Sequence, residues 1–197
     1  MKIQYDMASG AYYDYIVDSQ DKFDVMIASA TWFGAKNVLF TTNVTSTGQT
    51  TIPATVEKIH AVNEATLTTT TSSGQYGLGY AATPTTKIYE IRNLCLISTG
   101  GRGFSACSNL YNCSGSSAQI HYVSCENLIN CSGIGSGSFG YGFYGCNNLI
   151  NCWGGSNGGG SSFYSCSYCF GCRLLAYATP WAGANTVIRG CEAVSDG

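Results

Sequence analysis

FSACSNLYNCSG (104–115), YVSCENLINCSG (122–133), FYGCNNLINCWG (143–154) and FYSCSYCFGCRL (163–174) are four copies of one twelve-residue phrase, with starts 18, 21 and 20 residues apart. The first, fourth, seventh and tenth places are apolar, as in Phe143, Cys146, Leu149 and Cys152. A unit this small leaves its apolar side open unless another unit stacks on it, so the repeat predicts a solenoid with a continuous core. The apolar stretches are short and lack a helical period, and the spacers SGIGSGSFGYG and GGSNGGGSS disfavour helix, which argues against a leucine-rich repeat. The expected fold is all-β: a single-stranded, right-handed parallel β-helix with coils of ~20 residues.

Two cysteine columns follow from the spacing: Cys107, Cys125, Cys146 and Cys166 at the fourth place, and Cys113, Cys131, Cys152 and Cys172 at the tenth. A degenerate copy, IYEIRNLCLIST (88–99), puts Ile91 and Ile97 in those columns, so the cysteines read as substitutes for a buried isoleucine. In a truncated last copy, Ile188, Cys191, Ala193 and Val194 take the first, fourth, sixth and seventh places. The sixth place holds Asn93, Asn109, Asn127 and Asn148, and the ninth holds Asn112, Asn130 and Asn151. Asparagine tolerates the left-handed backbone of a tight corner, and its amide can bond the amides above and below, so structural ladders are expected. The coil with Tyr168, Cys169 and Gly171 departs from both.

Of 197 residues, 45% are apolar and only 10% are charged, with a net charge of −2. After residue 100 the only cations are Arg102, Arg173 and Arg189, so there is no basic stripe and nucleic acid is not an expected partner. No apolar run approaches the ~20 residues of a membrane span, and the opening MKIQYDMASG turns polar at once. Neither a membrane partner nor a visible export signal is expected, and synthesis is placed in the cytoplasm. Nine of the eleven cysteines share repeat places with Ile, Leu or Val, which favours reduced thiol ladders over disulfides.

Before residue 88 the pattern loosens. Asp18 and Ser19 can cap a helix over residues 20–30, with Phe23, Met26, Ile27 and Ala30 on one face. NVLFTTNVT (37–45), TVEKIHAVN (55–63) and ATLTTTT (65–71) alternate as strands. The expected division is an N-terminal segment over 1–35, whose helix covers the open end, and a β-helix over 36–197. Its first coils are irregular to residue 87, and the regular repeats occupy 88–197.

Cys166, Cys169 and Cys172 spell CxxCxxC, yet each stands at a regular repeat place and the matched fourth ligand of a structural zinc is missing, so no metal or cofactor is expected. GSGSFG (135–140) matches GxGxxG by letter but precedes a strand, not a helix. His60 and His121 have no carboxylate or cysteine pattern beside them. From residue 100 the acids are Glu126, Glu192 and Asp196, too sparse for the carboxylate pair of glycoside cleavage or the calcium-and-base cluster of uronate elimination.

The array, its asparagine corners and the opening YYDYIVDSQDKFDVMI with KNVLF resemble right-handed β-helix proteins of the pectate-lyase-like superfamily. Within it, the chain is similar to Cys/Asn/Gly repeat regions of tail fibre and tailspike proteins from phages and prophages of gut bacteria. The resemblance implies a β-helix and, for a phage-derived chain, a place on the virion or an extracellular surface. Pectate lyases carry acidic metal ligands and an arginine on one strand face that this sequence lacks, so no catalytic residue carries over. The expected function is a non-catalytic structural and recognition module, working as a homo-oligomer, either a trimer or an end-to-end stack. Loops 114–118, 132–142 and 153–162 would face a surface glycan or host receptor, with Phe139, Tyr141 and Trp153 as candidate contacts. The alternative is a polysaccharide lyase or glycoside hydrolase of the β-helix type, with a site shared between chains.

Overall fold

A computed structural model of the protein describes residues 4–6, 11–79, 90–176, 179–182 and 187–194. Three parallel sheets of nine, eight and seven strands run side by side up a solenoid of about 8 turns, each of about 21 residues. In one turn, Arg102–Ser105 joins the seven-stranded sheet, Ser108–Tyr111 the nine-stranded and Ser114–Ser117 the eight-stranded. Strands pair with their equivalents one turn on, so Leu110, Leu128, Leu149, Cys169 and Ile188 form a single column.

Left-handed residues bend each turn. Ala106 (φ 53°), Asn109 (55°) and Asn112 (52°) are matched one turn later by Ser124, Asn127 and Asn130. Side chains disfavour this region, and asparagine tolerates it better than most. Its amides add a bond between turns: Asn127 Nδ2 donates to Asn109 Oδ1 at 2.9 Å, and Asn148 Nδ2 to Asn127 Oδ1 at 2.9 Å. At the ninth place, Asn130 donates to Asn112 and Asn112 to Asn93, each at 3.2 Å.

That last bond corrects the register read for residues 88–99. Ile91 pairs with Leu110, a seventh-place residue, so Asn93 belongs to the ninth-place ladder and not to the sixth. Leu94, not Ile97, underlies Cys113, and Ile97 is half-buried beside Ser116. Cys191 follows Cys172 at the tenth place and Ile188 follows Cys169 at the seventh, each six places on from the sequence reading. Ile88 lies outside the described residues. An apolar residue at every third place is matched nearly as well after a shift of three or six, and only hydrogen-bond register separates the alternatives.

Cys107, Cys125, Cys146 and Cys166, and Cys113, Cys131, Cys152 and Cys172, are at most 1% exposed. Each column sits just after a left-handed residue, where thiols reach backbone carbonyls: Cys131 Sγ donates to Leu110 O at 3.4 Å, and Cys146 Sγ to Tyr122 O at 3.5 Å. An isoleucine would fill the space without this weak donor. Burial pushes the Cys125 and Cys146 thiols well up, which keeps them protonated.

Phe104, Tyr122, Phe143 and Phe163 stack through the interior at centroid separations of 5.2, 4.7 and 4.7 Å. The Tyr122 hydroxyl donates to Cys113 O at 2.8 Å. Glycines opposite make room for the rings: a Cβ on Gly133 would lie 2.7 Å from the Tyr122 ring, and one on Gly154 2.5 Å from Phe163. These glycines stand in the strands Ser132–Gly135 and Trp153–Ser156, and Ser114–Ser117 is a strand too, so the first four residues of each stretch read as a loop build the eight-stranded sheet. Parallel stacking pairs backbone whatever the side chain, which lets Gly- and Ser-rich segments be strands. Gly154→Ala is expected to cost about 1–3 kcal/mol by overpacking. Thermal unfolding checks this, and adding Phe163→Leu should return part of the loss.

At the N-terminal end, Ser19 Oγ accepts from Lys22 N at 3.3 Å and starts helix α1 (Gln20–Ala28), which buries Phe23 and Met26. Phe23 meets Phe40 of the first turns, with ring centroids 6.1 Å apart. The nine-stranded sheet takes its first strand, Tyr15–Val17, from ahead of the helix, paired with Asn37–Phe40.

Candidate functional site

Alternate residues of a strand face opposite ways, so the outer face of the nine-stranded sheet carries two columns. One runs through paired residues from Leu39 and His60 to Arg92, Tyr111, Ile129, Ile150 and Phe170. The other sets Lys58 and Glu90 ahead of the Asn109–Asn127–Asn148 ladder. A groove of about 310 Å³ lies between the columns from Asn109 to Phe170. Next to it, a groove of about 600 Å³ is lined by His60, Glu90 and Arg92. Arg92 bridges the two, its guanidinium 4.4 Å from the centre of the Tyr111 ring in a cation–π contact. The two grooves follow one another along the solenoid axis with the Arg92–Tyr111 contact between them, and together they make up a trough that is polar at the N-terminal end and floored by aliphatic and aromatic side chains beyond.

The polar end is a relay across three elements. Tyr13 Oη and His60 Nδ1 are 2.8 Å apart, and His60 Nε2 is 2.7 Å from Glu90 Oε1. Arg92 holds the same carboxylate with both arms, Nε on Oε1 at 2.8 Å and a terminal nitrogen on Oε2 at 3.1 Å. Burial alone would raise the Glu90 carboxyl, but the bonds from Arg92 and His60 outweigh it and hold Glu90 below its ordinary value. Glu90 is therefore ionised and His60 Nε2 must donate to it, which leaves Nδ1 to accept the Tyr13 proton. Burial outweighs the pull of Glu90 on His60 and lowers its pKa, so the imidazole is neutral at pH 7.

Among the described residues Glu90 is the one carboxylate lining this groove, and its two oxygens are already engaged. It suits accepting a hydroxyl hydrogen bond better than donating a proton. In the sequence His60 has no acid beside it; the two meet because the register pairs His60 with Arg92 and Lys58 with Glu90. The irregular spacing of the first turns hides that pairing.

The three aromatics singled out from the sequence do not share a site. Phe139 is 75% exposed and lines, with Tyr141, a separate pocket of about 240 Å³. Tyr141 packs on Tyr144 and Tyr164 at 5.5 and 5.1 Å, so neighbouring rings cover it. Trp153 stands on the eight-stranded sheet, whereas Tyr141–Tyr144 belongs to the seven-stranded. Sequence reasoning missed the trough floor, although Tyr111, Ile129, Ile150 and Phe170 recur at the eighth place of every regular copy.

Among the described residues no three His, Cys, Asp or Glu side chains are grouped to hold a metal ion, and no helix is long and apolar enough to cross a membrane. No protein-family model matches the chain, and neither a curated protein nor a solved structure matches it significantly.

Proposed function

We propose that the chain is a non-catalytic structural and recognition module that binds an extended glycan along the trough, as part of a phage tail fibre or tailspike-like assembly or a surface adhesin. The observation that carries this reading is that the two grooves follow one another along one axis, on columns of paired residues. Equivalent residues advance by the strand spacing of about 4.8 Å, close to the length of one pyranose in an extended chain. Successive sugars would meet the same pair of groups. Ile129, Ile150 and Phe170 offer apolar contact to the C–H faces of the rings, while Asn109, Asn127 and Asn148 keep amide valences beyond the ladder for hydroxyls. In the same reading the module works as a homo-oligomer at a virion or cell surface, which its mass in solution tests.

A glycan array probed with the intact protein tests the binding. Ile150 is 40% exposed, so Ile150→Asp should fold and should weaken retention at least tenfold, while Phe139→Ala should leave it unchanged. Equal retention by Ile150→Asp and the parent would remove the trough from the account. The Tyr13–His60–Glu90–Arg92 relay favours a second reading, polysaccharide cleavage. It requires new reducing ends or unsaturated products that vanish in Glu90→Gln, whereas a recognition module returns the glycan intact.

A further inference from the structure

His121 lies on the strand Ile120–Val123 and is fully buried, and among the described residues neither Nδ1 nor Nε2 has a hydrogen-bond partner. Its ring meets the edges of Phe104 at 5.5 Å and Tyr122 at 4.6 Å, both nearly perpendicular. Glycines on three strands clear the space around it. A Cβ on Gly103 would lie 2.6 Å from Nδ1, one on Gly115 3.0 Å from Cε1, and one on Gly133 2.6 Å from Cδ2. Phe104, Tyr122 and Phe143 pair in one column, so Gly103 and Gly142 occupy the place of His121 in the adjacent turns. The chain thus puts a titratable ring where its neighbours have no side chain, and packs it without a well-formed hydrogen bond, the backbone at Ser114 and Ser116 acting on it only weakly. A neutral imidazole tolerates this at modest cost, but an imidazolium without water or an anion does not.

We propose that His121 is an acid-operated latch: its uncharged ring locks the turns between residues 102 and 135, and acid opens them because only an opened turn can hydrate the protonated ring. Burial pushes the pKa down to about 3, against a weaker opposite pull from the backbone at Ser114 and Ser116, and no charged side chain contributes. Of the strands around it, Arg102–Ser105 carries Arg102, Tyr141–Tyr144 carries two phenols, and Ser114–Ser117 and Ser132–Gly135 carry no titratable group. Its own strand adds Tyr122, whose phenol burial pushes well up. Among the described residues no carboxylate is therefore placed to receive the proton or stabilise the cation.

The sign follows from the two states. An exposed histidine titrates near 6.5, so above that pH opening is independent of His121. As pH falls from about 6.5 to about 3, opening gains up to about tenfold per pH unit. Tyr111 and Ile129 sit on the same turns, so opening also breaks the trough in its middle; that consequence, unlike the latch, rests on the proposed function.

Hydrogen exchange on the full chain at pH 7 and pH 4.5, corrected for intrinsic rates, tests the latch. Amides of residues 102–135 that exchange through opening should do so about 100-fold faster at pH 4.5 in the parent, with most of that gain lost in His121→Phe and His121→Asn. Equal acceleration in parent and variants overturns the latch. Should neither variant fold, the parent still decides it through its two histidine C2–H resonances. That of His121 must keep its neutral shift down to pH 4.5 in the folded protein, and a midpoint near 6.5 in the folded state overturns the proposal.

Discussion

Cys146→Asp is expected to abolish cooperative folding of the array at pH 7, while Cys146→Val should leave stability within about 1.5 kcal/mol of the parent. Cys146 is 1% exposed, and its thiol meets the carbonyls of Tyr122 and Tyr144, at 3.5 and 3.6 Å, and the thiols of Cys125 and Cys166 in the adjacent turns. A carboxylate there would face two carbonyl acceptors and no donor stronger than a thiol, a cost of several kcal/mol against a total stability of about 5–15 kcal/mol. Valine has a precedent in the same column. Ile59, Ile91 and Leu110 are paired equivalents, and Val56 precedes Ile59 by three residues as Cys107 precedes Leu110. Val56 is buried there. Far-ultraviolet circular dichroism through a thermal ramp separates the two variants, and acid should partly restore Cys146→Asp by protonating the new carboxyl.

Phe143→Ala should lower stability by about 3–5 kcal/mol, read as a shift of the denaturant midpoint at unchanged slope. The ring lies between Tyr122 and Phe163 with both centroids 4.7 Å away, so its removal empties a slot in the stacked column. Gly133 and Gly154 across the core have no side chain to move into that slot. Phe143→Leu, which refills part of the volume, should fall between the parent and Phe143→Ala.

The solenoid was legible because its cause is local and repeated: apolar residues at every third place in four successive copies, and asparagines at fixed corners in three of them. The same regularity made register ambiguous at both ends. Asn93 fits either asparagine ladder when the degenerate copy slides by three residues, and Ile188 and Cys191 fit two sets of apolar places. Only pairing with a particular neighbour removes that freedom. The Gly- and Ser-rich stretches read as loops because strand propensity reflects side-chain packing, and here the packing partner is an aromatic ring on another sheet. Gly154 belongs to a strand because of Phe163, which no local window contains.

The candidate site was less legible. His60 and Glu90 stand thirty residues apart in turns of unequal length, and residues 80–89 between them lie outside the described part of the chain. Their 2.7 Å contact depends on the register of the strand Lys58–Ala61 against Glu90–Arg92. The eighth-place column of Tyr111, Ile129, Ile150 and Phe170 was present in every regular copy. Attention to the inward places passed over it, since scattered outward apolar residues are ordinary until stacking aligns them into a stripe.

Calorimetric titration with a homologous series of linear oligosaccharides, drawn from whichever glycan the protein retains, tests the binding mode most directly. A ligand lying along the axis gains contacts with each turn it spans. Affinity should therefore rise with every added sugar and level off once the length from Arg92 to Phe170 is filled, and Ile150→Asp should flatten the rise. A monosaccharide that binds as tightly as its longer homologues, or a series unaffected by Ile150→Asp, would contradict recognition along the trough.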